Sequence, residues 1–379
     1  MRIIKNASPR NETAFTVRSV RPRYMLGCLA FACLSVNACS AQVGETSETS
    51  GGNQAPVADP IASSQSPLLA AAQWSDQVDA SGTIHVRHTV CDWVGPSSNP
   101  TAACGVAGSD WDDYALVGGG AEIEDVNHTA GALLTKSWMM ADQRNWEASS
   151  KDHLVAFSHR LRAWTIAIKL DGISGADLRA KVHRIEVTTP SNVAAPTAFA
   201  PIPGSSNVLL GGGAKAIYTG AGQLLVASYP QFSGGSWGWR TNSKDHGISN
   251  PGKVLAQAIY MTNIPWGVGG ATLDGRIFSL HKVPAVPGGY AVLTTAGPIP
   301  DPADLRMNDQ LDPFCGCNFG WVLTGIGADT YLVGGANGRL LVDLFPLGWD
   351  RGSVHVTTKD HSAKNGGGIN GYILGMTRF

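Results

Sequence analysis

Three stretches of this 379-residue chain carry one polar triplet: Lys151-Asp152-His153, Lys244-Asp245-His246 and Lys359-Asp360-His361. Lys and His donate hydrogen bonds, His titrates near neutrality, and Asp accepts and can orient both. On an extended chain Lys and His point one way and Asp the other, whereas in a turn the Asp can bond back to the backbone. The triplets therefore read either as donors to a polar ligand or as a repeated turn in which Asp caps and His packs on a nearby Trp. Trp146 and Trp239 stand five residues before the first two lysines, and Val354 takes that place in the third copy. An indole beside Lys, Asp and His suits a sugar, with ring stacking plus planar hydrogen-bonding partners. On that reading the ligand-binding residues are the three triplets with Trp146 and Trp239, and the third site, lacking the Trp, is weak.

The same groups could serve as a general base oriented by Asp, as in an extracellular polysaccharide hydrolase or lyase. No Gly-x-Ser-x-Gly elbow and no His-Glu-x-x-His pair accompanies them, and repeated weak sites are the hallmark of avidity rather than of turnover. No catalytic residue is assigned and no cofactor is expected. A metal centre would need a strand histidine (His85, His88, His183 or His281) beside the triplet histidine of its own segment, and no metal-type spacing appears. The acidic cluster Asp110, Asp112 and Asp113 around Trp111 could form a Ca2+ loop but reads more simply as solvated surface.

The triplets end a longer repeat. Leu116-Val117-Gly118-Gly119-Gly120-Ala121, Leu209-Leu210-Gly211-Gly212-Gly213-Ala214 and Leu323-Thr324-Gly325-Ile326-Gly327-Ala328 precede them, followed by Leu133-Leu134, Leu224-Leu225 and Leu340-Leu341. From the first Gly of each cluster to the Lys the offsets are 33, 33 and 34 residues, and the lysines lie 93 and 115 residues apart. Three homologous units follow, over 73–175, 176–270 and 271–379, which could close into a pseudo-threefold ring or stand as beads. The Gly clusters lack the helix start and Lys-Ser/Thr of a phosphate cradle; they read as strand bulges, or as bare backbone on which a bulky aromatic lies flat.

Period-two alternation over Ile84–Val90, and in part over Val182–Val187, predicts strands. Leu133-Leu134 with Trp138, Leu224-Leu225 with Tyr229-Pro230 and Leu340-Leu341 with Phe345-Pro346 look like one strand type ending at an aromatic corner, and Trp138, Trp164 and Trp321 read as core. Only Gly175–Ala180 suggests a helix. The expected class is all-β: three tandem sandwich- or barrel-like units of about 95–110 residues. Composition agrees, since only 15% of residues are charged while Gly numbers 46 and Trp 11. With 28 Lys+Arg against 29 Asp+Glu there is no basic excess to hold nucleic acid.

Before the repeats lies an address. Arg2, Lys5, Arg10, Arg18, Arg21 and Arg23 precede an apolar run from Tyr24 to Val36, too short for a comfortable membrane span. The run ends in Leu34-Ser35-Val36-Asn37-Ala38-Cys39, which resembles the signal of bacterial lipoproteins, with Cys39 as the lipidated first residue of the mature chain. Residues 1–38 are then the signal peptide and 39–72 a tether rich in Gly, Ser, Thr, Gln, Ala and Pro. Ser40, where an Asp would favour inner-membrane retention, implies the outer membrane or cell surface. An ordinary signal cut near Ala41, giving a secreted protein, is the alternative. Removing the 6 basic and 1 acidic residues of the signal leaves 22 against 28, a net charge of −6.

Export permits disulfides among Cys91, Cys104, Cys315 and Cys317. Cys91 could pair with Cys104, leaving Cys315 with Cys317, or the pairs could cross and join the first unit to the third. The functional expectation is an exported, lipid-anchored, lectin-like protein binding surface or extracellular glycans or other polar ligands through repeated sites. A polysaccharide hydrolase or lyase using one triplet, and a structural envelope protein, are the rivals.

Overall fold

The computed structural model describes residues 72–79, 81–124, 132–154, 156–204, 207–262, 273–284, 290–294, 322–332, 340–347, 353–359 and 367–378, all within one compact unit, Ala58–Phe379. The triplet residues Asp360 and His361, together with Cys39, Cys315, Cys317 and Trp321, lie outside the described residues. The protein is all-β. In chain order the elements are β1 (Gln73–Val78), β2 (Ile84–Val90), β3 (Val94–Ser97), β4 (Thr101–Gly105), a 3-10 turn (Trp111–Asp113), β5 (Ala115–Glu124), β6 (Leu133–Met139), β7 (Asn145–Lys151) and β8 (His159–Leu170). After the helix α1 (Gly175–Lys181) come β9 (Val182–Thr188), β10 (Thr197–Pro201), β11 (Asn207–Ile217), β12 (Leu224–Ser233), β13 (Ser236–Lys244) and β14 (Lys253–Thr262). The remainder is β15 (Leu273–Pro284), β16 (Tyr290–Thr294), β17 (Val322–Leu332), β18 (Leu340–Leu347), β19 (Ser353–Lys359) and β20 (Gly367–Arg378).

These strands form three antiparallel sheets. Sheet I runs β1-β2-β8-β5-β18-β19-β16, with β3 also on β8; sheet II runs β4-β7-β6-β11-β14-β9; sheet III runs β10-β13-β12-β17-β20-β15. The segments 73–175, 176–270 and 271–379 do not build separate sheets. The first shares sheet I with the third and sheet II with the second, and the second shares sheet III with the third. Each seam is one strand pairing, β5 with β18, β11 with β6 and β17 with β12. The inward faces meet in one hydrophobic cluster that includes Ile166, Leu210, Ile326 and Leu344.

The Gly clusters explain how the sheets close. Each is a β-bulge, its extra residue being Val117, Leu210 or Thr324. Past each bulge the three strands meet backbone to backbone in a cycle. A Cβ on Gly118 would stand 2.6 Å from the Thr324 carbonyl oxygen, one on Gly325 would stand 2.5 Å from that of Leu210, and one on Gly211 would collide with that of Val117. No side chain fits at any of these three positions.

The helix appears where one was expected. Ser174 caps it, its hydroxyl accepting from Asp177 N at 3.1 Å, and Arg179 and Lys181 occupy its last turn. Among the described residues no helix is long and apolar enough to cross a membrane, which says nothing of strands.

Candidate functional site

The triplets of the first and second segments converge: the His153 and His246 rings lie 5.9 Å apart, and His153 Nε2 hydrogen-bonds the His246 carbonyl oxygen. Both imidazoles are buried, 3% and 5% exposed, and Lys359 of the third triplet is buried too. Each Asp closes its own turn. Asp152 Oδ2 accepts from Phe157 N at 3.3 Å and Asp245 Oδ2 from Asn250 N at 3.1 Å. Lys151 reaches across to the Ala221 carbonyl at 2.7 Å and lies over the Tyr218 ring at 5.2 Å. Lys151 and His153 thus tie the first segment to the second.

The indoles assigned to the same site lie in the core, Trp146 1% exposed and Trp239 fully enclosed. Trp146 lies on the backbone of Gly119 and Trp239 on that of Gly212, where any Cβ would overlap the ring. Each indole N–H donates to a buried hydroxyl, Trp146 to Ser137 at 3.0 Å and Trp239 to Ser228 at 2.9 Å. Rings held in this way present no face to a ligand, so the platform expected from Trp146 and Trp239 is corrected to core packing. The third segment carries Ile326, Val354 and Leu344 at the positions equivalent to the Gly, Trp and Ser. All three are buried. Val354 is a packing substitution there, and the weak third site inferred from it loses its premise.

Aromatic and polar side chains also gather across the seams between the sheets' segments. The last Gly of each cluster (Gly120, Gly213, Gly327) faces outward between two strands, and the register places one equivalent row across each sheet. In sheet I the row contains Trp164, Gly120, Phe345 and His355; in sheet II it contains Gln257, Gly213, Trp138 and Glu147. In sheet III it contains Tyr372, Gly327, Tyr229, Arg240 and Phe199. The glycine is required because a Cβ at 327 would stand 2.9 Å from the Tyr229 Cα, and the positions at 120 and 213 are equally closed by Phe345 and Trp138. Without a side chain there, aromatic residues from strands on either side can meet over the backbone. Trp138, expected in the core, is partly exposed, whereas Trp164 is buried as expected, clustered with Val90 and Phe345.

Two of the rows are chemically closed. In sheet I, Glu122 accepts from Arg162 at 2.7 and 2.8 Å and from Trp164 Nε1 at 2.8 Å, while Trp164 stacks on Phe345 and Phe345 on His355. In sheet II, Glu147 accepts from Lys136 at 2.7 Å and from Trp138 Nε1 at 2.8 Å, with Lys215 over the Trp138 ring at 4.4 Å. Burial, then the nearby Lys136 charge, lowers the Lys215 pKa.

Sheet III differs. Tyr229 and Tyr372 stack with centroids 5.3 Å apart, and both are partly exposed. Asp329, in the place of Glu122 and Lys215, has Asn370 and Arg240 for neighbours and no ion pair within 4.0 Å among the described residues. Burial pushes its carboxyl up to about 6 despite the Asn370 hydrogen bond and the Arg240 charge, which act the other way. Burial and the Asp329 charge raise the pKa values of both tyrosines. Arg240 donates to Gln231 Oε1 and lies 5.7 Å from the Phe199 ring. A strip of rings with a carboxylate and a guanidinium beside it can stack on the C–H face of a sugar and hydrogen-bond its hydroxyls.

The sequence marks Tyr229 and Phe345 only as an aromatic corner and Tyr372 only as part of a closing strand, Gly371-Tyr372-Ile373-Leu374, while Phe199, Arg240 and Asp329 carry no mark in it. Their signal is spacing from the Gly cluster, legible once strand register is known. Among the described residues no three His, Cys, Asp or Glu side chains gather as metal ligands. The acidic cluster is instead paired with cations, Asp110 with Arg87 at 2.5 Å, Asp112 with Arg179 at 3.3 Å and Asp113 with Lys169 at 2.8 Å. Cys91 is bonded to Cys104, which removes both from the crossed pairing. No protein-family model matches this chain, and no curated protein matches it.

Proposed function

We propose that this is an exported, lipid-anchored glycan-binding protein whose ligand lies on the outer face of sheet III. The observation that carries the reading is the Tyr229–Tyr372 stack with Asp329 beside it, partly exposed and without the ion pairing that occupies Glu122 and Glu147. Avidity from three equal sites is not part of the proposal, because two of the three rows have their carboxylates engaged. One ligand per chain is expected. Lipidation at Cys39, a tether over 39–72 and the outer membrane or cell surface complete the reading, on the lipoprotein-like signal.

A glycan array probed with the chain starting at Gln42 tests the binding. Selective retention, lost in Tyr229→Ala and Tyr372→Ala at unchanged melting temperature, supports it; a clean negative with a fully folded protein overturns it. The address is tested separately. Cys39→Ala should move the protein from the detergent phase to the aqueous phase.

A further inference from the structure

The aromatic row of sheet III crosses the strands instead of running along one. Phe199 on β10 is in register with Arg240 on β13, Arg240 with Tyr229 on β12, and Gly327 on β17 with Tyr372 on β20. Tyr229 meets Gly327 across the seam. Side chains alternate between the faces of a strand, and the inward neighbours Ala200, Trp239, Ser228 and Ile373 are all buried. The row side chains share the outer face and are partly exposed. From β10 to β20 there are four strand spacings of about 4.8 Å, so the row is about 19 Å long.

We propose that this row is an extended subsite array for a linear, neutral oligosaccharide of about four units, lying across the strands from Phe199 to Tyr372. The proposal rests on the glycan-binding reading and specifies the ligand class for the same face. One pyranose unit of an extended chain is close in length to one strand spacing. Phe199 and the tyrosine pair then supply two stacking positions, separated by Arg240. Asp329 and Asn370 lie two residues beyond Gly327 and Tyr372 on their strands, along one edge of the row, and Gln231 lies two residues from Tyr229 on the other. The ligand meets polar groups on both edges. One guanidinium and one carboxylate leave the platform without net charge, which matches a neutral sugar and disfavours a uronate or sulfated chain.

Titration calorimetry with cello-, manno- and xylo-oligosaccharides of one to six units tests the length. In at least one series affinity should rise more than tenfold from one unit to four and then level off. Phe199→Ala should move the plateau to shorter chains, and Tyr372→Phe, which keeps the ring, should preserve the length dependence. Measurable binding that is independent of length, or a plateau unmoved in Phe199→Ala with an unchanged melting temperature, overturns the array and leaves the glycan reading standing. No binding at any length in any series overturns both. Tighter binding of oligogalacturonate than of the neutral series overturns the charge argument and with it the ligand class.

Discussion

At residue scale the core answers a question the sequence posed without resolving. The indoles of Trp146 and Trp239 need three things: a missing Cβ beneath the ring, a hydroxyl for the N–H, and enclosure. Gly119 with Ser137 and Gly212 with Ser228 provide the first two. Where the third segment has Val354, the glycine position is filled by Ile326 and the hydroxyl is replaced by Leu344. Three positions change together: aliphatic side chains at the Gly and Ser positions occupy the space the ring leaves, and no buried donor is left unpaired. Trp239→Val alone should therefore cost about 3–5 kcal/mol, by cavity formation and an orphaned Ser228 hydroxyl. Adding Ser228→Leu, which removes the orphaned hydroxyl and refills part of the space, should recover part of that, whereas Gly212→Ile should not, because its Cβ would also collide with the Gln257 carbonyl oxygen. Denaturant melts of the single and double variants decide it; additive losses in Trp239→Val/Ser228→Leu would show that the two positions do not act as one packing unit.

Two titratable groups, one buried and one partly exposed, act in opposite directions. Burial holds His88 down at about 4, below its ordinary 6.5, so the unfolded chain binds more protons between those values and stability falls as pH drops through that window. Asp329 is raised from 3.8 to about 6, so the folded chain binds more protons and stability falls as pH rises from 3.8 to 6. The slopes oppose each other where the windows overlap. Asp329→Asn should stabilise the protein at pH 7 by about 1–2 kcal/mol, the shift discounted for partial exposure. It should also steepen the loss of melting temperature between pH 6 and pH 4. A parallel pH profile in the variant and the parent would refute the assignment.

The elements were legible to different depths. β2, β8 and β14 carry alternation or apolar runs with no competing signal, and the short helix has its cap and its charges in order. The site was not legible, for a physical reason. Phe199, Arg240, Tyr229 and Tyr372 come from four strands and are neighbours only through hydrogen-bonded register, and a slip of one residue would send any of them to the core face. The repeated triplet drew attention for the opposite reason, being contiguous, yet its visible members bond to loops and to each other. One covalent tie acts at this scale. Cys91–Cys104 closes a loop over a sequence separation of 13, linking the end of β2 to the short edge strand β4. Reduction should cost about 3 kcal/mol through the freed unfolded chain. The Cys91→Ala/Cys104→Ala variant should show the same loss in calorimetry, and a loss under about 1 kcal/mol would mean that β4 holds its place without the bond.

At the scale of the whole molecule, the three-copy sequence pattern suggests domains, but the sheets do not divide that way. Cutting at 175 and 270 would split every sheet, because β5 pairs with β18, β6 with β11 and β12 with β17. It would also expose the close glycine contacts at Gly118, Gly211 and Gly325, where each backbone rests on the next. Asp343 of the third segment bonds the Ile123 amide of the first at 2.6 Å, and Gln257 of the second bonds the Met139 amide of the first at 2.9 Å. Both bonds are buried, so separating the segments leaves polar groups without partners as well as apolar faces without cover. The chain should therefore unfold in one cooperative transition, with a denaturant m-value fitting its entire β body and not a third of it. The segment 73–175 expressed alone should lack the near-ultraviolet dichroism of packed aromatics, since Trp164 would lose Phe345. Coincident fluorescence and far-ultraviolet transitions would support this, whereas two resolved transitions, or a stably folded monomeric 73–175, would show that the shared sheets are weaker than the contacts within each segment.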